Sequence, residues 1–169
     1  PYIKEGDNVL AVRTDNDWMY REKSTNSKFQ WNDRNFNANY GGLPKNVFLY
    51  VTDEVYQTLP LYSNLKTTGV YIYAKDIDVK GRTATNHAES EVKNDSREPR
   101  QFSYQVVLLD ADGKQVKSFE GEKVTLQGGE TRVVKAASKV NNLHFWSWGY
   151  GYLYTVQTIL KDNKNQVFD

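Results

Sequence analysis

Hydrophobic and polar residues alternate along much of the C-terminal two thirds of the chain, with the period of two that is typical of β-strands. The pattern predicts strands over residues 70–74, 82–93, 101–110, 114–119, 122–126, 131–137 and 152–160. Clusters of Gly, Asn and Asp separate them and predict turns at residues 94–96, 110–113, 127–130 and 162–165. Helical periodicity is nearly absent, so the sequence predicts an all-β fold.

The first third of the chain has a different pattern. Strands are predicted at residues 8–14, after the turn Glu5-Gly6-Asp7, and at residues 46–51. Between them lies a long aromatic and polar stretch with little periodicity, the kind of loop that usually has a function. Residues 57–69 are predicted to form a linker. The region after the linker, with about seven short strands over some hundred residues, is typical of an immunoglobulin-like β-sandwich.

Charge and cysteine content exclude several classes of function. The 22 basic and 21 acidic residues give a net charge of +1 and form no Lys/Arg block, so a nucleic-acid partner is not expected. The longest apolar runs, such as Val106 to Leu109, are too short to span a bilayer, so a membrane partner is not expected either. The absence of cysteine excludes disulfides, thiolate metal sites and cysteine nucleophiles, and leaves the compartment open.

Two pairs of carboxylates have a spacing that permits acid–base chemistry. Glu89 and Glu91, and likewise Asp76 and Asp78, lie two residues apart on predicted strands, so each pair shares one face. A solvated sandwich face produces the same pattern without any catalytic role. We therefore predict no catalytic residue in this chain.

Metal and cofactor sites are not predicted. His87 and His144 have no further ligand at useful spacing, and His87 is interpreted as a residue of a solvent-facing strand near Glu89. Asp110 and Asp112 begin like a calcium loop, but the remaining oxygen ligands are missing, which favours a hairpin turn.

Three stretches, in this order, resemble glycoside hydrolase family 2, the bacterial β-galactosidases and β-glucuronidases. They are residues 1–13 (PYIKEGDNVLAVR), residues 40–49 (YGGLPKNVFL), and Phe145-Trp146-Ser147 with residues 152–156 (YLYTV). Residues 148–151 (WGYG) depart from the family pattern, which has a proline-containing link there. This departure suggests a subfamily.

The resemblance implies two parts. Residues 1–57 would be the C-terminal part of a jelly-roll, galactose-binding-like sugar-binding domain, and residues 58–169 the immunoglobulin-like sandwich. The family's catalytic glutamates lie on a TIM barrel that follows the sandwich, so the chain is expected to be a non-catalytic accessory region whose partner is that barrel. The first half of the jelly roll is expected upstream, and the exposed edge left by its absence predicts self-association.

The parent enzyme is expected to hydrolyse terminal β-linked sugars, of the β-galactoside type, with retention. A periplasmic or secreted bacterial location is the usual one for such enzymes. Two alternatives stay open: a free-standing carbohydrate-binding module that uses Trp18 and Trp31, and an adhesin-like sandwich for protein contacts.

The aromatic loop before residue 44 supplies the predicted substrate-binding residues. In the resembling family the stretch just before the Gly-Gly motif lends a polar side chain to the bound sugar, and the matching residues are Asn35, Asn37 and Asn39, with Trp31 as the stacking ring. The alternative is that the rings pack the jelly-roll core and the asparagines set turns. A second aromatic group includes Tyr152 and Tyr154, which are predicted to pack in the core or against a neighbouring domain.

Overall fold

The computed structural model describes residues 4–14, 42–43, 45–60 and 66–169, and divides the chain into two compact units, Pro1–Tyr50 and Val51–Asp169. Among the described residues, no helix is long and apolar enough to cross a membrane. The second unit is all-β, as the sequence predicts. It starts seven residues before the predicted boundary at residue 58 because its first strand already pairs with the sandwich.

The described part of the first unit has the predicted turn but not the predicted strands. The Asn8 side chain closes the turn by accepting a hydrogen bond from the Lys4 amide and donating to the Lys4 and Gly6 carbonyls. Residues 8–14 and 46–51 are not in strands, so both strand predictions were wrong. Their side chains are exposed, and a strand is stable when it pairs with others and covers an apolar surface.

Seven antiparallel strands form the sandwich. They are β1 (Val55–Gln57), β2 (Val70–Asp78), β3 (Thr83–Asn94), β4 (Arg100–Leu109), β5 (Gln115–Leu126), β6 (Thr131–Val140) and β7 (Thr155–Lys161). In sheet I, β3 pairs with β6 along one edge and with β2 and then β1 along the other. In sheet II, β4 lies between β5 and β7. The two strands predicted at residues 114–126 are one continuous strand, and the last strand begins at Thr155 rather than residue 152.

The core follows the period-two alternation of the central strands. Ala84, Ala88 and Val92 of β3 face inward and are buried. Phe102, Tyr104, Val106 and Leu108 of β4 face them, and all four are buried. The hydroxyls of Ser90 and Tyr104 lie 2.8 Å apart between the sheets, so the one polar pair in this contact is hydrogen-bonded.

The two ends of the sandwich unit meet. The Asp169 carboxylate accepts hydrogen bonds from the backbone amide and the side-chain amide of Gln57, at 2.8 and 3.0 Å. The Leu160 amide donates to the Asp169 carbonyl, and Phe168 packs edge-on against Phe102. The last residues of the chain therefore close the sandwich against β1 and β7.

Asn94, at the end of β3, organises the turns at one end of the sandwich. Its side-chain nitrogen lies 2.9–3.2 Å from the carbonyls of Glu98, Leu126 and Gln127. Its side-chain oxygen accepts from the amide and hydroxyl of Ser96. Asn94 is fully buried, so its side chain bonds to these groups out of contact with water.

We expect Asn94→Ala to lower the free energy of unfolding by about 2–4 kcal/mol, because several buried polar groups lose their partners together. Urea unfolding followed by circular dichroism measures the loss. Asn141→Ala, an exposed asparagine in the segment after β6, is the matched control and should change stability by less than about 0.5 kcal/mol. A similar small effect for both variants would show that the turns do not depend on Asn94.

Candidate docking end of the sandwich

The predicted substrate-binding residues Trp31, Asn35, Asn37 and Asn39 lie outside the described residues, so their role stays a prediction. The clearest candidate surface in the part of the chain that the structure describes is formed by residues 143–154, between β6 and β7. We call this surface the aromatic end.

The aromatic end covers one end of the sandwich with stacked rings. Tyr152 stacks on His144 at 4.9 Å and lies 5.0 Å from Tyr154, measured between ring centroids. The Tyr154 hydroxyl accepts a hydrogen bond from the His144 amide, which fixes the segment at both of its ends. Leu143 is buried with Ala84 and Leu108, and Tyr154 packs against this second core cluster. Tyr152 and Tyr154 thus face the sandwich together, as predicted.

A cavity of about 220 Å³ lies beneath these rings. Its walls come from both sheets, and small residues, Ala74 and Ala84, face Leu108 and Val156 across it. His144, Phe145, Trp146, Tyr152 and Tyr154 line the remainder. The space exists because the inner face of sheet I has short side chains at this end.

Asn86 contributes a polar amide to the lining of the cavity. Asn86 lies on the inward face of β3, and its side-chain oxygen is buried without a hydrogen-bond partner among the described residues. An unsatisfied buried amide destabilises a fold by roughly 1–3 kcal/mol. Sequence reasoning missed the cavity, and the signal that could have found it is an asparagine between Ala84 and Ala88 on an inward-facing alternation.

A tight hairpin follows Trp146 and carries Trp148 outward from the aromatic end. Ser147 and Tyr150 exchange two backbone hydrogen bonds of 2.9 Å, which leaves Trp148 and Gly149 as the two turn residues. Gly149 has φ of +76°, a conformation that favours glycine at this position of the turn. Trp148 is 96% exposed and Trp146 is 66% exposed. Exposed tryptophans on a fixed hairpin are typical of a protein interface.

The carboxylates that sequence analysis considered have structural roles. Glu89 accepts hydrogen bonds from the Tyr73 hydroxyl and the Lys135 ammonium, at 2.9 and 3.1 Å. The Lys135 contact and then the Tyr73 contact lower the pKa of Glu89. Burial alone would raise the pKa of Glu91, but hydrogen bonds from Thr58 and Thr68 outweigh it and the pKa is lowered. Two carboxylates that both favour ionisation do not provide the protonated acid that glycoside hydrolysis requires.

The other candidate polar groups also have local partners. Asp76 accepts a hydrogen bond from Thr85, and Asp78 accepts one from the Gly81 amide. Asp110 accepts from the amides of Asp112 and Lys114, which confirms the hairpin turn. Within the described ranges, no group of three His, Asp or Glu side chains is arranged to hold a metal ion.

Comparison with known proteins shows that residues 68–169 match the family described as "Glycosyl hydrolases family 2". A β-glucuronidase of Formosa agariphila is 33% identical to this chain over 172 residues. The match covers all of this chain and 17% of that enzyme, so the chain spans about a sixth of the relative's length.

Solved structures agree on the fold. A β-glucuronidase from glycoside hydrolase family 2 is similar with a TM-score of 0.65 and 30% identity, over 70% of this chain and 12% of that chain. A Bacteroides uniformis β-glucuronidase gives a TM-score of 0.58 at 24% identity, over 70% of this chain and 14% of its own. The second likeness supports the all-β sandwich fold alone.

We expect Asn86→Leu to raise the free energy of unfolding by about 1 kcal/mol, because an apolar side chain of similar size replaces an unpaired amide. Urea unfolding midpoints at constant slope measure the gain. Asn86→Asp is the contrasting variant and should destabilise, since it puts a charge in the same apolar surroundings. A loss of stability in Asn86→Leu would mean that the amide has a partner that it needs.

We also expect the sandwich to lose stability in acid. The folded-state pKa values of Glu89 and Glu91 lie below the ordinary value of 4.5, so their contribution is present above that pH and is lost as the pH falls through the folded values. Urea midpoints measured across this range test the prediction. Glu91→Gln should flatten the dependence, and an unchanged profile in that variant would contradict it.

Proposed function

Because this chain belongs to glycosyl hydrolases family 2, we propose that its sandwich is a non-catalytic accessory module of a larger glycosidase. The observation that carries the proposal is the aromatic end. Its hairpin exposes Trp148 almost completely, although the turn itself is fixed by two backbone hydrogen bonds. A large apolar ring held in water by a defined turn gains free energy when a partner covers it.

We propose that the partner is the catalytic domain of the same polypeptide. The similar Formosa agariphila enzyme is about six times as long as the matched region, which leaves ample protein for such a contact. Trp146 and Trp148 would be buried at the centre of the interface, where tryptophan side chains commonly contribute most of the binding energy. The cavity behind them gives the aromatic end room to adjust as the surfaces meet.

The proposed reaction of the parent enzyme is the hydrolysis of a β-glucuronide. The named relatives are β-glucuronidases, so we propose a glucuronide in place of the β-galactoside expected from the sequence. In a retaining enzyme of this kind, one carboxylate attacks the sugar while a second protonates the leaving group. We assign neither role to the sandwich, since Glu89 and Glu91 are both committed to structural hydrogen bonds.

Residues 1–50 are proposed to belong to a jelly-roll sugar-binding domain, in which Trp31, Asn35, Asn37 and Asn39 would contact the substrate. A periplasmic or secreted location is proposed on the same resemblance.

The first measurement is the intact mass of the native gene product. A product several hundred residues longer, with two well-separated glutamates in a β/α repeat, is expected, and a product of 169 residues would contradict the accessory role.

The docking contact is tested by the same substitution in two settings. In the full-length gene product, Trp148→Ala should lower the stability of the sandwich–catalytic domain contact by about 2 kcal/mol or more, because an interface anchor is removed. In the 169-residue chain, where Trp148 is exposed, it should change the free energy of unfolding by less than about 0.5 kcal/mol.

Differential scanning calorimetry of both proteins measures the two effects. Lys164→Ala, an exposed residue of the turn after β7, is the control variant in each setting. An equally small effect of Trp148→Ala in both proteins would show that the hairpin is not the docking surface.

A further inference from the structure

The outer face of sheet I has a depression at its β1 end that none of the functions above uses. One side of the depression is a row of paired residues across three strands. In this row, Tyr71 of β2 pairs with Glu89 of β3, and Glu89 pairs with Lys135 of β6. In the next row, the Glu91 amide bonds to the Gly69 carbonyl and Glu91 pairs with Val133. The depression lies between these rows, with a volume of about 430 Å³, and is lined by Thr68, Gly69, Tyr71, Glu89 and Val133.

A glycine lies in the wall of the depression. Gly69 has φ of +66°, and a side chain there would collide with the backbone of Pro60. Gly69 therefore contributes only backbone to the lining, next to the side chains of Tyr71 and Val133. The backbone fixes the shape of the depression, which is within the size range of small-molecule sites.

Tyr71 provides an aromatic wall that is fixed from behind. Its ring is 64% exposed and lies 5.3 Å from the ring of Tyr73, which stacks on His87 at 4.9 Å with the planes almost parallel. The Tyr73 hydroxyl is bonded to Glu89, so the supporting ring has little freedom to turn. Tyr71 thus presents a ring to solvent from an ordered base.

Glu89 provides the polar side of the depression, and its ion-pair partner Lys135 lies beside it in the same cross-strand row. A single oxygen of Glu89, Oε1, accepts from both Tyr73 and Lys135, while Oε2 has no protein partner within the described ranges. The Lys135 side chain is 65% exposed and uses one of its three donors on Glu89. The remaining acceptor and donors therefore belong to the two side chains of one ion pair, in the same row as the exposed Tyr71.

From this arrangement we infer a carbohydrate-binding subsite, in which the pyranose ring of a glycan packs its C–H face on Tyr71. Neighbouring hydroxyls of the same sugar donate to Glu89 Oε2 and accept from Lys135. A sugar matches the site because it combines an apolar face with adjacent groups that both donate and accept. A uronic-acid carboxylate could take the place of the accepting hydroxyl at Lys135, since both present an oxygen acceptor to the ammonium.

The subsite is separate from the aromatic end. Asn86, on the cavity at that end, faces inward from β3, whereas Glu89 faces outward three residues further along the same strand. The inference goes beyond the proposed docking function, because it requires only the 169-residue chain and no catalytic domain.

Titration of the 169-residue chain with two probes, lactose and a disaccharide ending in β-linked glucuronic acid, tests the inference by NMR chemical-shift mapping. We expect at least one probe to bind with a dissociation constant of about 1 mM, which is typical of a single stacked ring with a few hydrogen bonds. Shifts should centre on Tyr71, Glu89 and Lys135. Binding of both probes would assign hydroxyl recognition, and binding of the glucuronide alone would assign recognition of the acid by Lys135.

Tyr71→Ala should weaken binding about tenfold or more, because the stacking surface is removed, whereas Tyr71→Phe keeps the ring and should retain binding. Glu89→Gln should also weaken it, through the loss of the charged acceptor. Val79→Ala is the control, since Val79 is an apolar residue of nearly equal exposure, 68%, in the same unit and outside the depression. The inference is overturned if neither probe binds, or if Val79→Ala weakens binding as much as Tyr71→Ala.

Discussion

The buried side chain of Asn94 holds both crossings of the chain between the two sheets at one end of the sandwich. The first crossing leads from β3 to β4 and includes Glu98, whose carbonyl accepts from Asn94. The second leads from β5 to β6, and Asn94 contacts the carbonyls of Leu126 and Gln127 at its start. Connections between sheets leave backbone groups without strand partners, and here one amide side chain satisfies several of them. The two crossings are thereby joined to the end of β3.

At the opposite end of the sandwich, the Arg82 side chain donates to the carbonyls of Asn142 and Leu143, and aromatic rings cover the interior. Sheet I contributes Ala74, Ala84 and Asn86 to the lining of the cavity at this end. Leu108 and Val156 of sheet II do not fill the space that these short side chains leave. The segment before β7 closes this end with stacked aromatic side chains. The end at Asn94 thus has a buried amide at its centre, whereas the end at Arg82 has aromatic rings over an incompletely filled core, which makes the second end the more adaptable of the two.

The sequence predicted the sandwich well and the surfaces poorly, for one physical reason. Strand alternation and turn residues are local signals, so β3, β4 and the turn at Asp110 were correctly located. The strands at residues 8–14 and 46–51 had the same local signal, but the described chain gives them no pairing partner.

The surfaces depend on which rows of the sheets come together. Tyr71, Glu89 and Lys135 are distant in sequence and become neighbours only through the register of β2, β3 and β6. Trp148 is exposed because it lies in a two-residue hairpin, and the hydrophobic periodicity of the sequence does not predict that hairpin.

The bond between Gln57 and Asp169 bears on how such a sandwich can be combined with other domains. The first strand of the sandwich and Asp169 lie side by side, so polypeptide that leaves the sandwich from these two points would leave from one place on its surface. A unit of this kind attaches as a side branch and adds little to the distance between its neighbours. Domains whose ends are adjacent tolerate insertion into other proteins and circular permutation. The geometry of this sandwich is therefore compatible with its insertion into another protein without a change in that protein's fold.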